Sequence, residues 1–128
     1  MKQMLVVGLG GFLGSIVRFQ LGGWILQYSA GGRFPWSTFL INVLGCLTIG
    51  LLGGLSERRD CFSSDTRLFL FTGILGGFTT FSAFGYEGVH LLRRSEPAMA
   101  LFYVSMSVIC GLAAVWLGVR LTGLGHLP

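Results

Sequence analysis

Asn42, Arg18 and Glu87 are polar or charged residues set inside long apolar runs. A polar group in such surroundings costs free energy unless it finds a partner or lines a cavity, so these residues mark where chemistry can occur. The Asn42 amide carries two N–H donors and one carbonyl acceptor, which suits it either to donate to an anion or to tie two helices together. Arg18 costs about 2.5 to 3.5 kcal/mol at a helix centre. Such a cation serves an anion pathway, pairs with a carboxylate, or snorkels to the interface, and Glu87 is the one acid within an apolar run that could partner it.

The densest chemistry lies at 73–84, Gly-Ile-Leu-Gly-Gly-Phe-Thr-Thr-Phe-Ser-Ala-Phe. Two adjacent glycines followed by Thr79, Thr80 and Ser82 are poor helix formers, yet they stand mid-way along an apolar run, so a broken helix is expected there. Unwound backbone inside a membrane is tolerated only where protein or a bound ion satisfies it, and free carbonyls attract a cation. Phe81 and Phe84 are spaced to share one side of the resumed helix. Their ring edges are electropositive and can meet an anion, or the pair can simply pack.

The elements that must carry these residues are membrane helices. Of 128 residues 52% are hydrophobic and only 11% charged, against about 25% charged in a soluble domain. A bilayer core takes about 20 apolar residues to cross, and four such runs fit, at 4–26, 37–56, 68–92 and 98–120, leaving no room for an extramembrane domain. The expected fold is thus all-α, one transmembrane domain over 1–128 with a broken third helix. The first run continues through Arg18 and resumes, unlike a cleaved signal peptide. The second follows Pro35 and the fourth follows Pro97, both favourable helix starts.

Four crossings place both termini on one side. Lys2, Arg58, Arg59, Arg67 and Arg120 then lie on the terminal side and Arg33, Arg93 and Arg94 opposite. A charge difference this small either orients the chain modestly or permits insertion both ways round, and two opposite copies close most simply as an antiparallel dimer. The formal charge of +4 is scattered, with no basic run beyond two residues, which argues against nucleic-acid binding. Three cysteines, Cys46, Cys61 and Cys110, have neither disulfide nor metal spacing. His90 and His126 have no catalytic partner at useful spacing, so no enzymatic role is expected. Gly10, Gly14, Gly45, Gly50, Gly53 and Gly54 suit close helix packing. The Gly8-x-Gly10-x-x-x-Gly14 stretch imitates a dinucleotide fingerprint without the strand and acidic residue that motif requires.

Together these residues resemble the Fluc (CrcB) family of small fluoride channels. The resemblance spans nearly the whole chain and rests on Gly11-x-x-Gly14-x-x-x-Arg18, on Pro35-Trp36-Ser37-Thr38-x-x-x-Asn42-x-x-Gly45, and on Gly76-Gly77-x-Thr79-Thr80-Phe81-Ser82-x-Phe84. It implies an antiparallel, dual-topology homodimer in the cell membrane, inserted in both orientations, with two pores each lined by both subunits. It further implies that Asn42 donates to fluoride, that Phe81 and Phe84 turn ring edges to it, and that Thr80, Ser82, Tyr103 and Ser107 form a hydroxyl track. Arg18, Thr38 and Glu87 take supporting roles. The Gly76 and Thr79 carbonyls of both subunits are implied to hold a structural Na+ at the dimer centre. The sequence departs from the family pattern at Ser37, where glycine is common, and at Ala83 and Gly111, where the family commonly has hydroxyl residues. The main rival reading is a small four-helix proton-coupled multidrug or cation transporter. Such proteins place a carboxylate in the first helix, where this chain has Arg18, leaving Glu87 for that role.

Overall fold

Long apolar runs with few charges satisfy their backbone most simply as helices in a lipid environment, and the computed structural model consists of helices and short connections. It describes residues 1–29, 32–59 and 62–123; Asp60, Cys61 and His126 lie outside them, and so do the side chains of Arg58 and Arg59. Helix α1 spans Lys2–Tyr28 and α2 spans Trp36–Arg59. The third crossing is composite: a single turn α3 (Ser64–Arg67), a π-helical segment (Leu68–Leu75), a short α4 (Gly76–Phe78) and, after an interruption, α5 (Phe81–Arg93). Helix α6 (Pro97–Leu121) begins on its proline, whose missing N–H costs nothing in the first turn. Among the described residues four helical segments are long and apolar enough to cross a membrane, the composite third crossing counted as one.

The helices outrun the apolar segments that nucleate them. The third crossing starts at Ser64 because the Ser63 hydroxyl accepts the Thr66 N–H at 3.2 Å and Asp65 sits in the first turn, where a negative charge favours a helix start. Lys2 of α1 forms an ion pair with Asp65 across this end.

The glycines do not unwind the third helix. Gly76 is helical (φ −63°, ψ −35°), and the chain turns extended at Thr79 (φ −86°, ψ 158°) and Thr80 (φ −149°, ψ 112°). The break thus lies on two β-branched residues, which extended backbone suits. Thr80 then caps the next helix, its hydroxyl accepting the Ala83 N–H at 3.2 Å.

Glycine is used instead for close approach. A Cβ added to Gly10 would stand 2.8 Å from the Gly73 Cα, and one on Gly77 would stand 3.0 Å from the Gly11 Cα. Helix α1 and the first half of the third crossing therefore meet backbone to backbone, as small residues permit in membranes. A second contact joins α2 to α6, where a Cβ on Gly118 would lie 2.7 Å from the Leu51 nitrogen and Gly50 abuts the Val115 carbonyl. Gly14 meets Ile74, Gly54 meets Thr122 and Gly45 meets the Thr79 methyl. Gly53 departs from the packing expectation: among the described residues nothing comes within 4 Å of the space its Cβ would fill.

These two contacts explain what the interruption does. Before it the third crossing packs on α1; after it, α5 packs on α6. Phe39, Leu91, Ala100 and Tyr103 form the buried cluster, with Tyr103 wholly enclosed. Ile41 and Leu75 are buried outside that cluster, while many large apolar side chains, among them Leu9, Phe12, Phe19 and Leu112, are exposed, as lipid allows.

Candidate functional site

Where the third helix breaks, Thr80 is left without its helical partners, and Asn42 of α2 supplies them. The Asn42 Oδ1 accepts the Thr80 N–H at 2.9 Å, and its Nδ2 donates to the Thr80 carbonyl at 3.1 Å. Extended backbone points a residue's N–H and C=O to the same side, as in a sheet, so one amide spans both. The same interruption leaves carbonyls over. Among the described residues no backbone N–H reaches the Gly76 or Thr79 carbonyl, because the Thr80 N–H is taken by Asn42 and the Ala83 N–H by the Thr80 hydroxyl. Thr79 itself returns both its N–H and its hydroxyl to the Leu75 carbonyl, at 2.9 and 2.8 Å.

A pocket of ≈ 320 Å³ opens at this break. It brings together Asn42, Thr79, Thr80, Phe81, Phe84 and Ser107, with Gly45, Cys46, Ile49, Leu75 and Val108 completing the wall. Phe81 is 83% exposed, so most of its surface is left uncovered by the described residues. It stands 5.5 Å from Phe84 by ring centroids, and Phe84 stands 5.2 Å from Tyr103. The Ser107 hydroxyl is buried and, among the described residues, has no hydrogen-bond partner.

A second polar cluster adjoins the first through that Phe84–Tyr103 contact. Glu87 receives two hydroxyls on its two oxygens: Thr38 donates to Oε1 and Tyr103 to Oε2, each at 2.7 Å. Three helices, α2, α5 and α6, thereby converge on one carboxylate. These short bonds to a carboxylate oxygen are of the strong kind.

Other expected residues stand apart. Tyr103 and Ser82 do not line the pocket; the Tyr103 hydroxyl is committed to Glu87, and the Ser82 hydroxyl is exposed, 3.3 Å from that of Thr80. The ion pairs among the described residues are Lys2 with Asp65 and Arg33 with Glu96 at 3.9 Å, so Arg18 is not joined to Glu87. No group of three or more His, Cys, Asp or Glu side chains gathers among the described residues, and the oxygens available to a cation at the break are backbone carbonyls. Sequence reasoning passed over Cys46 and Ile49, although Asn42, Gly45, Cys46 and Ile49 follow the spacing of one helical face. It also passed over Ser56, a buried hydroxyl that accepts from the Arg67 guanidinium at 2.9 Å and holds α2 to the third crossing.

A family model described as CrcB-like protein, Camphor Resistance (CrcB), matches residues 5–119. The chain belongs to the CrcB family. Its similarity to curated relatives runs end to end: it is 49% identical to a protein of Methylobacillus flagellatus over 121 residues, covering 94% of each chain. It is 48% identical to one from Thermus thermophilus, covering 95% of this chain and 94% of the other, and 40% identical to one from Nitratidesulfovibrio vulgaris, covering 99% of both. Each of the three is named a fluoride-specific ion channel FluC. In this CrcB chain the pocket at the helix break and the Glu87 cluster are two polar constructions within the apolar helices, built respectively around an amide and a carboxylate.

Proposed function

We propose that this chain is a fluoride-selective ion channel that lowers cytoplasmic fluoride by passive efflux. Hydrogen fluoride enters as a neutral acid, dissociates in a more alkaline cytoplasm, and the trapped anion leaves through the channel. The observation that carries the reading is the end-to-end identity to proteins named fluoride-specific ion channels, and the pocket supplies a physical rationale. Fluoride is small and strongly hydrated, so a path for it must replace water with hydrogen-bond donors. Asn42 provides an amide N–H, Ser107 a hydroxyl with no hydrogen-bond partner among the described residues, and Phe81 and Phe84 electropositive ring edges. The chain acts by conduction rather than catalysis.

The conducting unit in this reading is an antiparallel homodimer in the cell membrane, inserted in both orientations, with two pores. Its support is that one chain offers an incomplete site. Phe81 is largely exposed, and the Gly76 and Thr79 carbonyls are two hard oxygens where a hard cation collects about six. Two copies facing each other double that set around a central Na+, which neutralises carbonyls that lipid would leave bare.

The test is ion release from liposomes holding purified protein, followed with a fluoride electrode on one sample and a chloride electrode on its twin. The expected result is rapid fluoride release without chloride release. Folded, dimeric protein that releases no fluoride overturns the reading.

A further inference from the structure

An amide can face an ion with either of two opposite ends. Its N–H suits an anion and its carbonyl suits a cation, and an asparagine free to rotate its terminal torsion offers both. At Asn42 that freedom is removed by chemistry outside the side chain. The Thr80 N–H can only donate and the Thr80 C=O can only accept, so the amide seats in one way alone, Oδ1 on the N–H at 2.9 Å and Nδ2 on the C=O at 3.1 Å. A flip would place oxygen against oxygen and N–H against N–H. Of the amide's donors one N–H is then left, and Asn42 is part of the pocket wall.

We propose that the Thr80 backbone is a specificity-determining partner of Asn42, pinning the amide so that its remaining N–H, and not its carbonyl, is offered to the ion path. The break in the third helix thus has a role beyond its loose carbonyls. Only extended backbone turns the N–H and C=O of one residue to the same neighbour, and Thr80 is extended, with φ −149° and ψ 112°. An unbroken helix through residue 80 would commit both groups to its own turns and leave Asn42 unpinned. The Thr80 side chain is occupied separately, capping α5 through Ala83, so the pinning belongs to the main chain and survives changes of side chain.

The inference rests on the fluoride-channel reading for its consequence but not for its geometry, and two measurements separate them. The first is hydrogen exchange at the Thr80 amide in the full-length protein, which needs no transport. In the wild type this proton should exchange at least about tenfold more slowly than in Asn42→Ala, while protection along α5, at Val89 for example, stays equal in both. Equal exchange at Thr80 in the two proteins overturns the proposal whether or not the protein conducts. The second replaces Thr80 by its α-hydroxy analogue, turning the N–H into an ester oxygen and keeping the side chain. Fluoride release should fall about threefold to tenfold, the worth of one hydrogen bond, and the preference for fluoride over potassium should fall with it, at low and high sodium alike. The same exchange at Val89 serves as the folding control. Because the ester also weakens the Thr79 carbonyl, a loss that high sodium restores arises at that carbonyl and overturns the proposal. Unchanged fluoride-over-potassium preference does so too.

Discussion

In the proposed channel Asn42, Phe81 and Phe84 act through different properties, and single substitutions separate them. Asn42→Ala removes both the pocket N–H and the clamp on Thr80, and fluoride release from liposomes should fall by about 5- to 150-fold, since a lost partner in a buried hydrogen bond costs about 1 to 3 kcal/mol. Phe81→Ile keeps apolar bulk and removes the ring edge. It should reduce release while leaving the protein dimeric by size exclusion; full flux in both variants would take these residues out of the mechanism. Tyr103 makes a different kind of contribution. Its wholly enclosed ring keeps its packing in Tyr103→Phe, but Glu87 loses one of two hydroxyl donors. The expected cost is about 1.5 to 3 kcal/mol, visible as a lower midpoint of unfolding in denaturing detergent. An unshifted midpoint would mean that water takes over the vacant donor position.

At the scale of the element, the glycines divide sharply by what faces them. Gly77→Ala sets a methyl against the Gly11 backbone, which can yield only if α1 moves away. It should destabilise the fold by about 1 to 3 kcal/mol, as overpacking does. Gly53→Ala meets nothing within 4 Å and lies within α2, so it should be neutral within this chain or gain up to about 1 kcal/mol of helix propensity. Paired unfolding curves decide this, and equal effects at the two positions would contradict the packing described. If Gly53→Ala instead abolishes dimerisation, a second copy covers that open face. The third crossing shows the same economy in another form: its break transfers packing from α1 to α6 and is held by a hydroxyl cap, an amide bridge and a doubled bond to Leu75.

At the scale of the whole molecule, the proposed conducting unit is two opposite copies of the chain. Its sequence gives a weak orientation signal, with Lys2, Arg58, Arg59, Arg67 and Arg120 expected on the terminal side against Arg33, Arg93 and Arg94. If activity needs opposite copies, forcing one orientation should abolish it. Three lysines inserted after Met1 strengthen the terminal-side bias and should reduce fluoride release strongly. Co-expression with a copy carrying three extra lysines after Ser95 should restore it. Full release from the first variant alone would rule out dual topology as a requirement. Replacing sodium by a large organic cation should weaken the dimer if the Gly76 and Thr79 carbonyls share an ion, measurable as monomer appearing on dilution into lipid.

What the amino-acid order determined by itself was the number of crossings, the presence of a break in the third and the residue types at membrane depth. Hydrophobic length and the cost of buried polarity are local quantities that a linear sequence displays. The resemblance added roles for Asn42, Phe81 and Phe84, and the family match bore out the membership. Tertiary structure decided the rest. Gly76 and Gly77 looked like the breaking residues, yet they remain helical because their lack of a side chain is used against α1, and the threonines carry the extension. Glu87 looked available to Arg18, yet it is held by Thr38 and Tyr103, which lie 49 and 16 residues away in sequence. The orientation of the Asn42 amide was open as well, since two ends of one side chain are equivalent in sequence and differ only when a particular backbone stands opposite.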